Sequence, residues 1–207
     1  MTLRYIVKHP DPVLRKVAKP VTRITPHIHK LLDDMAETMA AANGVGLAAP
    51  QVGILKRVIV VDDGEGIIEL INPEIVEMSG EQDGPEGCLS IPGVTGDVKR
   101  AQYVRVKGLN RDGEPIEVAG EGLLSRALQH EIDHLNGVLF IDRAHTLYRT
   151  DAPQGSEKPV KARAVRADVV QQAFTKQGSV IQGSVNQGSL PLESTEKASQ
   201  VKSHDLP

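Results

Sequence analysis

Residues 122–137 read GLLSRALQHEIDHLNG and contain the most informative pattern in the chain. Residues 130–134 within it match the H-E-x-x-H pattern. Residues four apart lie on one face of a helix, so both imidazoles can reach a single metal ion. Glu131 lies about 100° around the helix from His130, close enough to contact a water on that metal. The segment lacks proline and ends in Asn136-Gly137, which is typical of a helix end. It therefore predicts a metal-binding helix, with a hydrogen-bonded pair of core histidines as the alternative.

Composition limits the kinds of protein that this chain can be. Its 207 residues suffice for one domain of ordinary size plus an extension, and its hydrophobic content of 40% permits a core. The net charge of −3 gives no argument for nucleic acid or for an acidic ligand. No apolar run approaches the ~20 residues that span a bilayer, and the N-terminal residues lack the pattern of a signal peptide. A reducing cytoplasm is the predicted location, and the single cysteine, Cys88, cannot form an internal disulfide.

The order of the predicted elements indicates an α+β domain. Thr25-Pro26 is typical of a helix start, and apolar residues recur at helical spacing from His27 to Ala41. A single helical turn is expected at Val13–Val17, a hairpin turn at Asn110–Gly113, and a short strand or coil at Val138–Ile141. Short β-branched or alternating runs predict strands over Val58–Val61, Ile67–Asn72, Ile75–Ser79, Tyr103–Leu109 and Pro115–Val118. A helix, several antiparallel strands and a second helix favour α+β over alternating β-α units.

The character of the chain changes near residue 150. Residues 1–150 are the predicted folded domain, and residues 151–176 are a predicted linker with a helix at Pro159–Lys176. Residues 177–207 contain Gln-Gly-Ser repeats with a period of five. Such repeats cannot bury enough apolar surface to offset the entropy lost on ordering, so we expect this tail to be disordered.

The class of a catalytic metal site depends on its third protein ligand, because a fourth position must stay open for water. Extended metalloprotease motifs place a histidine where this chain has Phe140, and thermolysin-like sites use a later glutamate, for which Glu157 is a weak candidate. Upstream, Cys88 lies in EGCLS between glycine and proline flanks. A small buried hydrophobe is the alternative reading of a lone cysteine. A Cys-His-His set would suit Fe(II), Zn(II) or Ni(II), and not Mg²⁺ or Ca²⁺.

Residues 44–53 read GVGLAAPQVG, a run of small residues that indicates a backbone close to another group. A glycine-rich turn after the first helix is the alternative. The Lys-Ser/Thr ending of a phosphate loop is missing. Gln51 supplies an amide NH₂, a donor of the kind that stabilises an oxyanion.

Three segments in this order resemble the signature motifs of the peptide deformylase family. They are GVGLAAPQ at residues 44–51, EGCLS at residues 86–90 and QHEIDHL at residues 129–135. The resemblance covers about residues 1–150. It implies removal of the formyl group from N-formylmethionine of newly synthesised polypeptides. It also implies antiparallel or mixed sheets around the H-E-x-x-H helix and Fe(2+) as the native metal, with Zn(2+) or Ni(2+) able to substitute.

The resemblance also implies roles for the residues of the site. The metal would be bound by three side chains, Cys88, His130 and His134. Glu131 would act as general base toward the metal-bound water that attacks the formyl carbon. The Gln51 side chain and the Leu89 backbone N–H would stabilise the oxyanion. Polar candidates to support the histidines are Glu86, Arg100 and Asp133.

Substrate contacts are implied for two pairs of residues. Val45 and Gly46 would form an edge for an extended peptide. Leu123 and Ala127 would line the methionine pocket, with ordinary core as the alternative for Leu123. The chain departs from some family members at two places, because residues 94–96 read VTG where a basic residue can occur, and Arg126 lies where an aliphatic is common.

Two other functions compete with deformylation. A metalloendopeptidase is disfavoured by the missing downstream ligand. A structural Cys-His-His zinc module would need a fourth protein ligand, for which His145 is the nearest spare histidine. Basic residues of the predicted C-terminal helix could contact the ribosome, although a solvated helix is the simpler interpretation.

Overall fold

A computed structural model describes residues 2–149 and the backbone of Arg163–Val165. Its helices are α1 (Pro26–Ala41), α2 (Gly122–Leu135) and α3 (Phe140–Arg143), with 3₁₀ turns at Pro12–Arg15 and Ala49–Val52. Its strands are β1 (Gly46–Ala48), β2 (Val58–Asp62), β3 (Ile67–Ser79), β4 (Gln82–Cys88), β5 (Ile91–Arg100), β6 (Tyr103–Leu109), β7 (Pro115–Glu121), β8 (Thr146–Arg149) and β9 (Arg163–Val165). Within this part of the chain no helix is both long enough and apolar enough to cross a membrane.

The strands form two antiparallel sheets. The larger sheet has the order β1-β2-β3-β6-β7, and the smaller sheet has the order β4-β5-β8-β9. In the larger sheet, β6 and β7 form a hairpin in which Tyr103 lies opposite Glu121. In the smaller sheet, β4 and β5 form a hairpin that ends with Cys88 opposite Ile91. The architecture is therefore α+β, as predicted.

Strand β2 holds the two long helices on opposite faces of the larger sheet. Val58 and Val60 pack in the cluster that contains α1, whereas Ile59 and Val61 pack in the cluster that contains α2. All four side chains are fully buried. A strand buried on both faces requires a continuous apolar run, which explains the sequence VIVV at this position.

Helix α2 is buried along most of its length. Every residue from Ser125 to Leu135 is buried. One side, including Leu128 and Ile132, packs on the larger sheet. The ring of His130 stacks on Phe140, which belongs to the core of the smaller sheet, with 6.2 Å between centroids. The H-E-x-x-H helix is therefore central, and its polar residues face the interior.

Several sequence predictions are confirmed by these elements. The first helix begins after Thr25 with Pro26 in its first turn. The strand over Tyr103–Leu109 and the hairpin turn after it are as predicted. The turn expected at Val13–Val17 is a 3₁₀ turn at Pro12–Arg15. The strands expected at Ile67–Asn72 and Ile75–Ser79 are one strand, β3, whose register shifts where Asn72 adopts a φ of +53°.

Other predictions were wrong or incomplete. Val138–Ile141 runs into the short helix α3, so a strand there is excluded. Strands β4 and β5 were not predicted, because their glycines and prolines disfavour a strand by propensity. Arg163–Val165 pair with β8 as a strand, which contradicts a helix at those residues. The rest of the predicted helix at 159–176 and the tail at 177–207 lie outside the described residues.

The end of α2 provides a test of this packing. Gly137 has a φ of +72°, and an added Cβ would lie 2.5 Å from the Arg15 carbonyl oxygen. Gly64 has a φ of +89° with no atom within 4 Å of its added Cβ. We expect Gly64→Ala to lower the free energy of unfolding by about 1–2 kcal/mol through its φ alone. Gly137→Ala should lower the free energy of unfolding by at least ~1 kcal/mol more than Gly64→Ala does, because the backbone at Arg15 must also shift. Equal losses of stability in urea denaturation would contradict the close contact.

Candidate metal centre

The structure brings together the three side chains predicted to bind a metal. The candidate ligand atoms of Cys88, His130 and His134 all lie within 4.8 Å of one another. The Cys88 Sγ is 3.2 Å from His134 Nε2, and the two imidazole rings are 4.9 Å apart at an angle of 75°. Two ligands come from one face of α2 and the third from the end of β4. One thiol and two imidazoles form a donor set suited to a transition metal.

The β4–β5 hairpin places the cysteine. A register shift between Gly87 and Cys88 interrupts the ladder just before the turn, and such an irregularity re-aims a side chain. Ser90 N lies 3.4 Å from Cys88 Sγ, and Gln51 Nε2 lies 3.5 Å from it. The sulfur is thus approached by hydrogen-bond donors as well as by the histidines.

Glu86 is the buried anion beside the site. Its carboxylate accepts hydrogen bonds from Arg100 Nε (2.7 Å), Arg100 Nη2 (3.0 Å), Arg126 Nη1 (2.9 Å) and His130 Nδ1 (2.9 Å). Burial alone would raise the pKa of Glu86, but the hydrogen bonds and charges of His130 and Arg100 lower it to about 2. Glu86 is therefore ionised, and its bond to Nδ1 leaves Nε2 as the ring nitrogen available to a metal.

Asp133 extends the same network through two arginines. It accepts hydrogen bonds from Arg100 Nη1 at 2.5 Å and from Arg143 Nε at 2.6 Å. The sequence identified Glu86, Arg100 and Asp133 as polar candidates but could not assign their pairs. The structure joins them in a chain from His130 through Glu86 and Arg100 to Asp133.

The protonation preferences of the two histidines fit a cation between them. Burial lowers the pKa of His130, but hydrogen bonds to Cys88 and Glu86 outweigh burial and raise it well above its ordinary value. Burial, reinforced by the positive charges of His130 and Arg100, holds the pKa of His134 well below its ordinary value. The charges around the site therefore favour one positive charge, which a metal ion would supply in place of the His130 proton, and they keep His134 neutral, the form that binds metals. These residues fit a metal ion.

Glu131 lies beside this group in the interior of the protein. It is buried, its Oε2 has no hydrogen-bond partner among the described residues, and burial raises its pKa to about 7. A Cβ added to Gly46 would lie 2.4 Å from Glu131 Oε1. Gly46 therefore has a role that the sequence did not reveal, because only glycine leaves room for this carboxylate.

Gln51 is fixed in one orientation next to the cysteine. Its Oε1 accepts a hydrogen bond from Ala48 N at 2.8 Å, and its Nε2 donates to Ser90 Oγ at 3.2 Å. Lys8 Nζ donates to the Leu89 carbonyl at 2.6 Å and so anchors the adjacent peptide. Sequence reasoning missed Ser90 and Lys8. Ser90 was visible only as part of EGCLS, and Lys8 carried no signal because 81 residues separate it from its partner.

The site opens into a cleft of about 410 Å³. Its lining includes the predicted contact residues Val45, Gly46, Leu123 and Ala127, together with Gln51, Cys88, Leu89, His130 and Glu131. The side chain of Leu123 is 67% exposed, so the alternative that it is ordinary core is wrong. Val94, Thr95 and Arg126 also line the cleft, and the guanidinium of Arg126 is hydrogen-bonded to Glu86. A largely apolar cleft with a few convergent polar groups is typical of a small-ligand site.

Comparisons with known proteins agree with this geometry. A profile of the family described as polypeptide deformylase matches residues 3–150. A peptide deformylase of Carboxydothermus hydrogenoformans is 62% identical over 149 residues, which cover 72% of this chain and 98% of the relative. The crystal structure of a peptide deformylase from Legionella pneumophila is 50% identical, covers 69% of this chain and 86% of its own, and has a TM-score of 0.67. A Met-Ala-Ser-bound peptide deformylase from Acinetobacter baumannii is 40% identical with a TM-score of 0.65, over 69% of this chain and 98% of that one.

The raised pKa of Glu131 makes the stability of the metal-free protein depend on pH. The unfolded carboxyl ionises near 4.5 and the folded one near 7, so its contribution to stability is lost as pH rises through this window. The loss is on the order of 3 kcal/mol. We expect Glu131→Gln to remove this pH dependence. In urea denaturation, the free energy of unfolding of the variant should therefore rise relative to that of the unsubstituted protein between pH 5 and pH 8. The exposed Glu65→Gln serves as the control. Parallel pH profiles for Glu131→Gln and the unsubstituted protein would contradict the raised pKa.

Proposed function

Because the chain belongs to the peptide deformylase family, we propose a role for each residue of its site in that reaction. The protein is a metal-dependent hydrolase that removes the formyl group from N-formylmethionine of new polypeptides. The observation that supports our assignment is the grouping of Cys88, His130 and His134, since Cys88 and His130 line the same cleft as Glu131.

We propose that Cys88, His130 and His134 hold Fe(2+), with Zn(2+) or Ni(2+) able to replace it. A thiolate with two imidazoles accepts any of these ions. When bound, such an ion supplies Lewis-acid chemistry and lowers the pKa of water. Elemental analysis of protein purified without oxygen tests the choice of metal, and we expect iron in stoichiometric amount. Stoichiometric zinc with little iron would contradict Fe(2+) as the native ion.

Glu131 is the proposed general base and acid. Its carboxylate takes a proton from the attacking water, whose oxygen bonds to the formyl carbon. It then delivers the proton to the departing amine nitrogen as the C–N bond breaks, which leaves formate and a free amino terminus. A pKa of about 7 suits a group that must both accept and release a proton near neutral pH. Glu131 Oε2, which has no hydrogen-bond partner in the described part of the chain, is an oxygen that can accept this proton.

Gln51 and the Leu89 N–H are the proposed donors to the oxyanion. The Ala48 N–H donates a hydrogen bond to Gln51 Oε1, and this bond directs Gln51 Nε2 toward Cys88. The amide donor is therefore oriented before the reaction begins and need not turn during it. Lys8 anchors the carbonyl of Leu89. Donors held in place before the reaction stabilise developing charge better than donors that must first reorient.

The peptide substrate is proposed to lie along the cleft. Val45 and Gly46 would offer backbone for an extended chain, and Leu123 and Ala127 would form part of the apolar wall for the methionine side chain. The relative from Acinetobacter baumannii was crystallised with Met-Ala-Ser, the kind of peptide that deformylation releases. This likeness supports a peptide of the same kind in this cleft.

The rival functions find little support in the described residues. Phe140, at the position of a protease histidine, is buried in the core of the smaller sheet. His145, the candidate fourth ligand of a structural module, contacts Asp83 at 2.9 Å. Among residues 2–149, the metal-binding group holds Cys88 and two histidines, which is the number that an open catalytic site requires.

The nascent chain is the substrate, so we propose a cytoplasmic location close to the ribosome. The basic residues Lys161, Arg163 and Arg166 are the support for direct ribosome contact through the C-terminal region. Co-sedimentation of the full chain with purified ribosomes tests this contact. If the chain does not sediment with ribosomes at physiological salt, direct ribosome contact is excluded.

Substitution of Gln51 tests the oxyanion assignment. Removing one such donor typically lowers the rate about 10²–10³-fold. We therefore expect Gln51→Leu to be folded and nearly inactive when formate release from formyl-Met-Ala-Ser is measured. The exposed Gln102→Leu should keep the activity of the unsubstituted protein.

Gln51→Leu also removes the acceptor for the Ala48 N–H, so thermal unfolding of each variant must be measured. Gln51→Glu keeps an acceptor for that N–H while removing the amide donor. Full activity in a folded Gln51→Leu or Gln51→Glu protein would exclude Gln51 from this role.

A further inference from the structure

Arg126 is a buried cation that the proposed reaction does not use. It lies on α2, its exposed fraction is 8%, and its Nη1 contacts three acceptors. These acceptors are Glu86 Oε1 at 2.9 Å, the Val98 carbonyl at 2.9 Å and the Gly84 carbonyl at 3.2 Å. Burying a charged side chain is costly unless it is paired and hydrogen-bonded. Arg126 has an ionic partner in Glu86 and hydrogen-bond acceptors in two backbone carbonyls.

The contact with Glu86 connects Arg126 to the metal centre. Glu86 uses one oxygen for Arg126 and Arg100, and it uses the other for His130 Nδ1 and Arg100. Arg126 and His130 are four residues apart on α2, so they lie on one face of the helix. The same carboxylate therefore bridges two side chains of one helix.

Arg100 cannot be expected to hold this carboxylate alone. Its Nη1 is also drawn to Asp133 at 2.5 Å, on the far side from Glu86. Without Arg126, Glu86 Oε1 would keep one of its two donors, and the link from the carboxylate to the backbone of β4 and β5 through Gly84 and Val98 would be lost. The carboxylate could then tilt about its remaining partners.

We propose that Arg126 is a positioning residue for His130 and acts through Glu86. Its guanidinium fixes the Glu86 carboxylate, which fixes the His130 ring by its Nδ1–H and keeps Nε2 directed at the metal. This inference rests on the proposed function, in which His130 is a metal ligand. Partners of ligating histidines typically contribute about 10–100-fold to metal affinity or activity.

The requirement is for a guanidinium rather than for any cation. A forked, planar head can contact a carboxylate and nearby carbonyls together, whereas a lysine ammonium is a point donor on a flexible stem. Arg126→Lys should therefore restore only part of what Arg126→Met loses. This ordering separates positioning from a simple need for positive charge.

The test measures metal affinity in the full-length chain. Metal-free protein would be titrated with Co²⁺ in competition with a chromophoric chelator, and the visible spectrum of the Co²⁺ form would be recorded. Arg105→Met is the matched control, because the Arg105 side chain is 42% exposed and pairs with Glu77 and Glu117. Thermal unfolding and circular dichroism would establish that each variant is folded at the titration temperature.

We expect Arg126→Met to weaken Co²⁺ binding by about 10–100-fold and to change the visible spectrum, with Arg126→Lys between it and the unsubstituted protein. Arg105→Met should stay within about 2-fold, as exposed ion pairs contribute little. Unchanged Co²⁺ affinity and spectrum in Arg126→Met, even with lower thermal stability, would overturn the proposal. If Arg126→Met does not fold, Arg126→Lys decides in the same way.

The experiment distinguishes a failure of the Arg126 proposal from a failure of the proposed function. If the unsubstituted protein binds Co²⁺ and releases formate while Arg126→Met binds Co²⁺ equally well, only the role of Arg126 is lost. If the unsubstituted protein neither binds Co²⁺ nor releases formate, the assignment of the metal centre itself fails.

Discussion

The burial of α2 from Ser125 to Leu135 is the constraint on which the rest of the structure depends. Polar groups are costly to bury without partners, and this helix carries two histidines, a glutamate and an aspartate into the interior. The smaller sheet supplies Glu86 and Arg100 for this purpose. The β4–β5 hairpin thus contributes the third candidate ligand, Cys88, and also the charged side chains that offset the cost of burying α2.

Two glutamates in this centre show how position decides chemistry. Glu86 lies among Arg100, Arg126 and His130, and its pKa is lowered to about 2. Glu131 lies against the backbone of Gly46 with an unpartnered oxygen, and burial raises its pKa to about 7. The first carboxylate is a permanent anion that orients a histidine. The second can exchange a proton near neutral pH, as acid–base catalysis requires.

How much could be predicted from the sequence differs between helices and strands. The spacing of apolar residues located α1, and glycine and asparagine located the end of α2. Strands β4 and β5 escaped prediction, because QDGPEGC and IPGVTGDVKR contain residues that avoid strands in isolation. The pairing of β4 with β5, and of β5 with β8, overrides that preference. Propensity is local, whereas strand pairing is not.

From the sequence alone, three short motifs identified the family, the order of the elements indicated the α+β class, and residue types within the motifs supplied the candidate ligands. Only the tertiary structure decided which charges meet around those ligands. The bonds from Glu86 to Arg100, Arg126 and His130 span 14, 40 and 44 residues, and no local pattern encodes such distances. The same holds for Gly46, whose missing side chain leaves room for Glu131. Contacts across the chain are set by how two sheets close around one helix, and that closure is a property of the whole fold.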